Sequence, residues 1–239
     1  MAKDKRSKQA AAAPPPTATA AAAAAAVKAT TTPPSWPPFK PSLPVADLNL
    51  ECIVPDKIVV LRSFFPRSLC RDYRGDAVRV NDRFQIDDYR FAHRLWTETG
   101  LKDAVLDPEV AHLWGGEVIG LNSNIRVYRY SKGQYFDAHY DDSNNVTVRT
   151  DDGQQQPPLP GKTTWTLLLY LTSSAEGCVG GETVFYPHDK RSAREEIPVS
   201  IETGMLLLHK HGHDCMLHEG REVTAGEKWV LRTDLCVKR

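Results

Sequence analysis

His139 and Asp141 stand two residues apart, and His218 follows far downstream. In extended backbone, residues two apart project from the same face. His139 and Asp141 therefore point together, and Tyr140 turns away. A distant strand must bring His218 to them. Two imidazoles and one carboxylate around one ion leave positions open, the 2-His-1-carboxylate arrangement that suits non-haem Fe(II). A closed shell, such as four thiolates around zinc, would leave no room for oxygen and a co-substrate. An H-x-D tripeptide alone fits equally well a surface histidine beside the acidic pair Asp141-Asp142. The elements around it must decide.

Residues 126–130 alternate as a strand does, residues 131–134 read as a turn, and residues 135–139 start the next strand. Around His218 the chain reads LHEGREVTAGEKWVLRTDL. Lys228, ten residues past His218, opens a further strand that runs to Val237. A buried cation there suits a dicarboxylate co-substrate. One carboxylate end sits on the metal, and the other needs a charge-assisted partner. Arg232, four residues on, shares that strand face and competes with Lys228 for the role. Strand alternation cannot separate the two.

Four blocks stand in order: RYSKGQYFDAHYDD, TTWTLLLYLTS, GGETVFYP and LHEGREVTAGEKWVLRTDL. Together they resemble the prolyl-4-hydroxylase-type family of Fe(II)/2-oxoglutarate dioxygenases. They occupy residues 122–234, about half of the chain. The resemblance implies a double-stranded β-helix, or jelly roll, with iron held by His139, Asp141 and His218. It implies that Lys228 pairs with the far carboxylate of 2-oxoglutarate, that Tyr130 hydrogen-bonds it, and that Thr183 lines the same pocket. It also implies O2 as the other co-substrate and L-ascorbate as the reductant that keeps iron in its ferrous state. The family's spacing favours Lys228 over Arg232. The matched blocks concern iron and co-substrate; none names the substrate.

Composition is that of an ordinary globular protein, with 239 residues, 41% hydrophobic and 25% charged. Thirty basic residues balance thirty acidic ones, so no global field attracts nucleic acid or an anionic membrane. The five cysteines (Cys52, Cys70, Cys178, Cys215, Cys236) form no C-x-x-C pair and read as reduced thiols. Residues 1–44 are a different material: a short basic cluster, then an Ala/Pro/Thr run. The apolar stretch at residues 20–27 falls well short of the ~20 residues a spanning helix needs. It lacks the leucine-rich core of a signal peptide. The expectation is a disordered tail over residues 1–44, Trp36-Pro37-Pro38-Phe39 being a linker that could dock, and a dioxygenase domain over residues 45–239. A cytoplasmic or nuclear setting follows, with no membrane and no nucleic-acid partner.

The architecture expected is α+β, mainly β: helices first, then a jelly roll that they back. Residues 57–61 read as a strand. Pro66 starts a helix that Gly75 stops, and Asp87 or Asp88 caps a second helix ended by Gly100. Phe91, Ala92, Leu95 and Trp96 form the stripe of that second helix. Residues 165–171 and 205–208 are core strands. Tyr170 lines the pocket as well as packing in the core. His209, His211 and His213 read as a hairpin turn rather than a second metal site. Residues 142–162 read as a long loop able to fold over the metal face, and residues 79–84 as a cleft segment.

The combined expectation is a hydroxylase that releases succinate and CO2 and acts on a protein side chain such as proline. A small-molecule hydroxylase of the same chemistry is the alternative. A jelly roll without catalysis, or a cupin-like protein with another metal, would need neither Lys228 nor GGETVF.

Overall fold

The computed structural model describes residues 32–74, 83–149, 157–189 and 195–239. In chain order its elements are β1 (Leu50–Val54), β2 (Ile58–Leu61), α1 (Arg67–Asp72), β3 (Arg83–Asp87), α2 (Tyr89–Thr97), α3 (Leu101–Leu106), β4 (Val118–Leu121), β5 (Asn124–Ser131) and β6 (Phe136–His139). There follow β7 (Asn145–Val148), β8 (Leu159–Tyr170), β9 (Val179–Gly180), β10 (Thr183–Tyr186), β11 (Ile197–Val199), β12 (Leu206–Lys210), β13 (Leu217–Gly220), β14 (Val223–Ala225) and β15 (Glu227–Lys238). The chain is mainly β, with helices in its first half, as its sequence predicts.

The large sheet runs β1-β2-β12-β8-β15-β5-β3, with β4 added to β15 and β7 to β8. The small sheet runs β11-β10-β13-β6, and β14 pairs with β9. Strand alternation divides the large sheet's side chains between two cores. Val59, Leu61, Leu167, Leu169, Leu206, Leu208, Trp229 and Leu231 pack with Phe91, Leu95 and Trp96 of α2 and with Leu101 and Val105 of α3. Ile58, Val60, Tyr170, Leu207 and Val230 turn the other way and meet Phe185 and Val199 of the small sheet. A one-residue slip in β12 or β15 would exchange these faces, so the apolar pattern holds the register firmly. Truncating a fully buried member such as Leu207 to Ala costs about 2–5 kcal/mol.

The helix boundaries follow local chemistry. Pro66 precedes the first turn of α1, where its missing N–H is no loss. Asp88 caps α2, its carboxylate accepting the Phe91 N–H at 3.0 Å. Gly100 takes a left-handed φ of 79° and starts a third helix, α3, where the sequence reading ended the second. Gly75 lies outside the described residues.

Three expectations change. Residues 142–162 are not one loop: β7 pairs with the start of β8, extending the large sheet, and residues 150–156 lie outside the description. Of the cleft segment at 79–84, residues 79–82 lie outside it, and Arg83 and Phe84 belong to β3. Of the expected tail, residues 1–31 lie outside it, but Trp36 stacks on Phe91 with ring centroids 4.1 Å apart, and Phe39 is buried. Packed chain thus begins before residue 45. All five cysteines are free.

Candidate metal and dicarboxylate site

The site lies between the two sheets, where β6 and β13 of the small sheet face β8, β12 and β15 of the large one. His139 ends β6, and β13 places His218 directly opposite it in antiparallel register. Asp141 follows two residues after His139. Their donor atoms converge, all lying within 4.8 Å of one another. Nε2 of His139 is 3.6 Å from Oδ1 of Asp141, and Nε2 of His218 is 3.7 Å from Oδ2. Tyr140 is 49% exposed, turned outward as alternation requires.

Backbone carbonyls set the tautomers. His139 donates from Nδ1 to the Asp137 carbonyl at 2.8 Å, and His218 donates from Nδ1 to the Met216 carbonyl at 2.9 Å. Each bond leaves Nε2 as a lone pair facing the carboxylate. Nε2 of His139 is buried with no hydrogen-bond partner. Burial, then the neighbouring His139, lowers His218 to about 4, so its ring is neutral near pH 7. Lone pairs set against carboxylate oxygens repel unless a cation sits between them. Ligands about 2.1 Å from one ion at right angles stand roughly 3 Å apart. Each histidine–carboxylate separation would have to shorten by rather more than half an ångström to reach that spacing, a side-chain adjustment, and two imidazoles with one carboxylate are the donor set that fits Fe(II).

Asp141 is held from several sides. Arg232 reaches Oδ1 with one guanidinium nitrogen at 2.8 Å. Burial pushes the carboxyl up, but the His139 interaction and the charge of Arg232 outweigh it and hold Asp141 well below the usual carboxylate range. A polar relay fixes the other oxygen. Asn144 N–H donates to Thr163 Oγ1 at 2.9 Å, and that hydroxyl donates to Nε2 of His211 at 3.0 Å. His211 Nδ1 donates to Thr166 Oγ1 at 3.0 Å, and Thr166 donates to Oδ2 of Asp141 at 2.8 Å. Each member donates forward, so the chain is polarised toward the carboxylate.

The other end of the pocket is built on β15 and its neighbours. Lys228, Val230 and Arg232 alternate inward and line the cavity with Tyr128, Tyr130, Leu168 and Thr183. Lys228 is 5% exposed and donates from Nζ to the Gly181 carbonyl at 2.6 Å. Among the described residues no carboxylate lies within ion-pair reach of it. Burial lowers its pKa to about 8. Nζ lies 5.7 Å from the Tyr130 ring centroid and 5.5 Å from that of Tyr170, both faces favourable to a cation. Tyr130 is Lys228's register partner on β5. Tyr170 and Thr183 share a 2.7 Å hydrogen bond between their hydroxyls. The GG of GGETVF has a steric reason: Gly181 takes a φ of 76°, and a Cβ there would meet Lys228 Cδ at 3.1 Å.

The sequence-predicted residues therefore gather in one pocket: His139, Asp141 and His218 at one end, Lys228, Tyr130 and Thr183 at the other. Arg232 faces the pocket but pairs with Asp141. Sequence reasoning missed His209 and His211. It placed both in a turn, whereas β12 continues through His209, and the short turn is confined to Gly212–Asp214. Period-two alternation from Leu207 would have put His209 on the inner face. His213 alone of the three is exposed.

Residues 125–233 match the family model described as the 2OG-Fe(II) oxygenase superfamily. No curated protein matches the chain. Among solved structures, a viral collagen prolyl hydroxylase from Paramecium Bursaria Chlorella virus-1, in a 2-oxoglutarate complex, is 19% identical. The match covers 77% of this chain and 97% of that one at a TM-score of 0.51. HygX from Streptomyces hygroscopicus, with nickel and 2-oxoglutarate bound, is 16% identical over 76% of this chain and 82% of that one, TM-score 0.49. A prolyl-4-hydroxylase from Pseudomonas putida is 16% identical over 76% of this chain and 89% of that one, TM-score 0.47. The family match spans nearly the same stretch as the four sequence blocks, and the first of these structures shares the fold.

Proposed function

We propose that this chain, a 2-oxoglutarate-dependent dioxygenase that belongs to the 2OG-Fe(II) oxygenase superfamily, holds Fe(II) on His139, Asp141 and His218 and hydroxylates an amino-acid side chain of a peptide, proline first among them. One observation carries the metal assignment. Both histidines commit Nδ1 to a backbone carbonyl and turn Nε2 toward the same carboxylate.

Bound iron supplies oxygen activation, driven by decarboxylation of 2-oxoglutarate to succinate and CO2. The protein's part is placement. Lys228 receives the far carboxylate as a charge-assisted partner, exchanging its bond to the Gly181 carbonyl for a stronger one. Tyr130 and Thr183 flank that carboxylate and keep water from it. The relay from Asn144 to Thr166 keeps Asp141 in one rotamer, so the third ligand is preorganised. Ascorbate would be the reductant that keeps the bound iron ferrous.

Tyr135, Phe136 and Tyr140 favour a peptide. They stand 53%, 42% and 49% exposed on and beside β6, next to the metal donors. Phe136 lines the pocket, and Tyr135 and Tyr140 stand beside it along the chain, an exposed aromatic surface that suits an extended chain dipping one side chain inward. The test is succinate formation from 2-oxoglutarate with Fe(II), with and without proline-containing peptides and small-molecule candidates. Stimulation by peptides carries the proposal. Stimulation only by small molecules overturns the substrate class, and activity that survives Asp141→Asn overturns the metal assignment.

A further inference from the structure

A second convergence of donors adjoins the triad. His209, Cys215 and His218 each bring one donor atom within 4.8 Å of the others, and all three are buried. His209 is 1% exposed, and neither of its ring nitrogens has a hydrogen-bond partner. Buried polar atoms left unsatisfied are costly, so two on one ring are an unfavourable arrangement unless a ligand completes it. His209 lines the same pocket on the inner face of β12, its ring centroid 4.5 Å from that of His218. Cys215 lies 4.0 Å from Nδ1 of His218, and its sulfur accepts the Asp141 N–H at 3.2 Å.

The chemistry of this set differs from that of the triad. Its three donors are a thiol and two imidazoles, with Oδ2 of Asp141 standing 3.7 Å from Nε2 of His209 beside them. Thiolate with imidazole prefers Zn2+ or Cu+, whereas carboxylate with imidazole in an open site suits Fe(II). Neither ring nitrogen of His209 is engaged in a hydrogen bond, so the ring has a lone pair to offer an ion.

We propose that His209, Cys215 and His218 form a second metal site that takes a thiophilic ion, Zn2+ in the first instance, and that its occupation excludes iron from the triad because His218, its Nδ1 committed to the Met216 carbonyl, has only Nε2 to offer either ion. The exclusion rests on the iron reading above; the softer site does not. Binding breaks the Cys215 S–H bond, forms an S–Zn bond and releases one proton to solvent. Three protein donors leave a fourth tetrahedral position for water.

The test uses the full chain, stripped of metal and titrated with Co2+ as a reporter. Thiolate ligation gives an intense near-ultraviolet charge-transfer band that imidazole and carboxylate ligation do not. The band is expected in the wild type and in Asp141→Asn, where the triad is broken and the softer set intact. It is expected to vanish in Cys215→Ser and in His209→Phe. Zn2+ affinity in those two variants should fall by at least about tenfold. His209→Gln, which keeps a buried polar group, serves if His209→Phe fails to fold by circular dichroism. Absence of the band in both the wild type and Asp141→Asn, or its survival in Cys215→Ser, overturns the proposal. Failure of the iron reading would be seen separately, as Fe(II)-dependent succinate formation that persists in Asp141→Asn.

Discussion

Arg232 sets its guanidinium 2.8 Å from Oδ1 of Asp141, with both side chains largely buried. It thus supplies positive charge to a carboxylate that, with iron bound, would face a cation directly. Arg232→Ala should therefore hurt the metal-free protein most. Removing one partner of a buried pair costs about 3–5 kcal/mol because the other charge is left uncompensated. A bound divalent ion restores that compensation. Thermal melts of the variant and wild type, with and without Mn2+, check this: the gap between them should narrow when the ion is added. A gap of constant size would mean that Arg232 acts through packing alone.

Four residues earlier on the same face, Lys228 stands apart from any carboxylate among the described residues, bonded only to a backbone carbonyl. Lys228→Ala should raise the 2-oxoglutarate KM at least about tenfold, since a charge-assisted bond contributes roughly 1.5–3 kcal/mol. Arg232→Ala should raise it less, because Arg232 is engaged with Asp141. The two KM values, measured side by side, decide the anchor. A normal value in Lys228→Ala with a large rise in Arg232→Ala would transfer the role to Arg232.

The same lysine sets a pH dependence. Burial lowers its pKa from 10.5 to about 8. The charged form binds the far carboxylate, so affinity for 2-oxoglutarate is full below about 8 and falls above it. The effect on stability has the opposite sense. Between about 8 and 10.5 the unfolded chain carries a proton there that the folded chain lacks, so this group's contribution makes stability rise with pH across that window. The profile of kcat/KM for 2-oxoglutarate should bend downward near pH 8. In Lys228→Arg, whose charge does not titrate in this range, that bend should disappear. An unchanged bend in the variant would assign it to another group.

Much of this site was legible because its parts are local. The H-x-D spacing needs only strand alternation, and the Lys228 offset from His218 needs only a turn and a strand. Arg232 and Lys228 could not be told apart on those grounds, since both face inward. What separates them is Asp141, which arrives from a loop after β6 on the opposite sheet. His209 and His211 were hidden for a related reason. Histidine, glycine and aspartate clustered at 209–214 resemble a turn, and β12 outlasts its apolar run by two residues because the pocket it enters is polar. The helix cap at Asp88 was readable, as was the α2 stripe. The docking of Trp36-Pro37-Pro38-Phe39 was readable from its aromatic ends, but its partners Phe91, Tyr73 and Asp88 are set by long-range contacts that composition does not reveal.

That docking yields the last prediction. Trp36 stacks on Phe91 at 4.1 Å, and its Nε1 donates to Oδ2 of Asp88 at 2.8 Å. The same carboxylate caps α2 through its other oxygen, so Trp36 braces the helix start as well as covering the core. Phe39 adds a stacked contact to Tyr73, whose hydroxyl donates to the Pro37 carbonyl at 3.1 Å. Residues 1–31, rich in alanine and proline, have few groups able to bury a core. Deleting residues 1–31 should leave Tm and turnover nearly unchanged. Deleting residues 1–44 should not. Truncating a buried Trp to Ala costs about 3–5 kcal/mol. Trp36 is only partly buried, so Trp36→Ala should lie near the bottom of that range, lowering Tm by roughly 6–12 °C in a chain of this size. Differential scanning calorimetry of the two deletions and the point variant separates the cases. An equal Tm in all three would mean that this segment covers the domain without stabilising it.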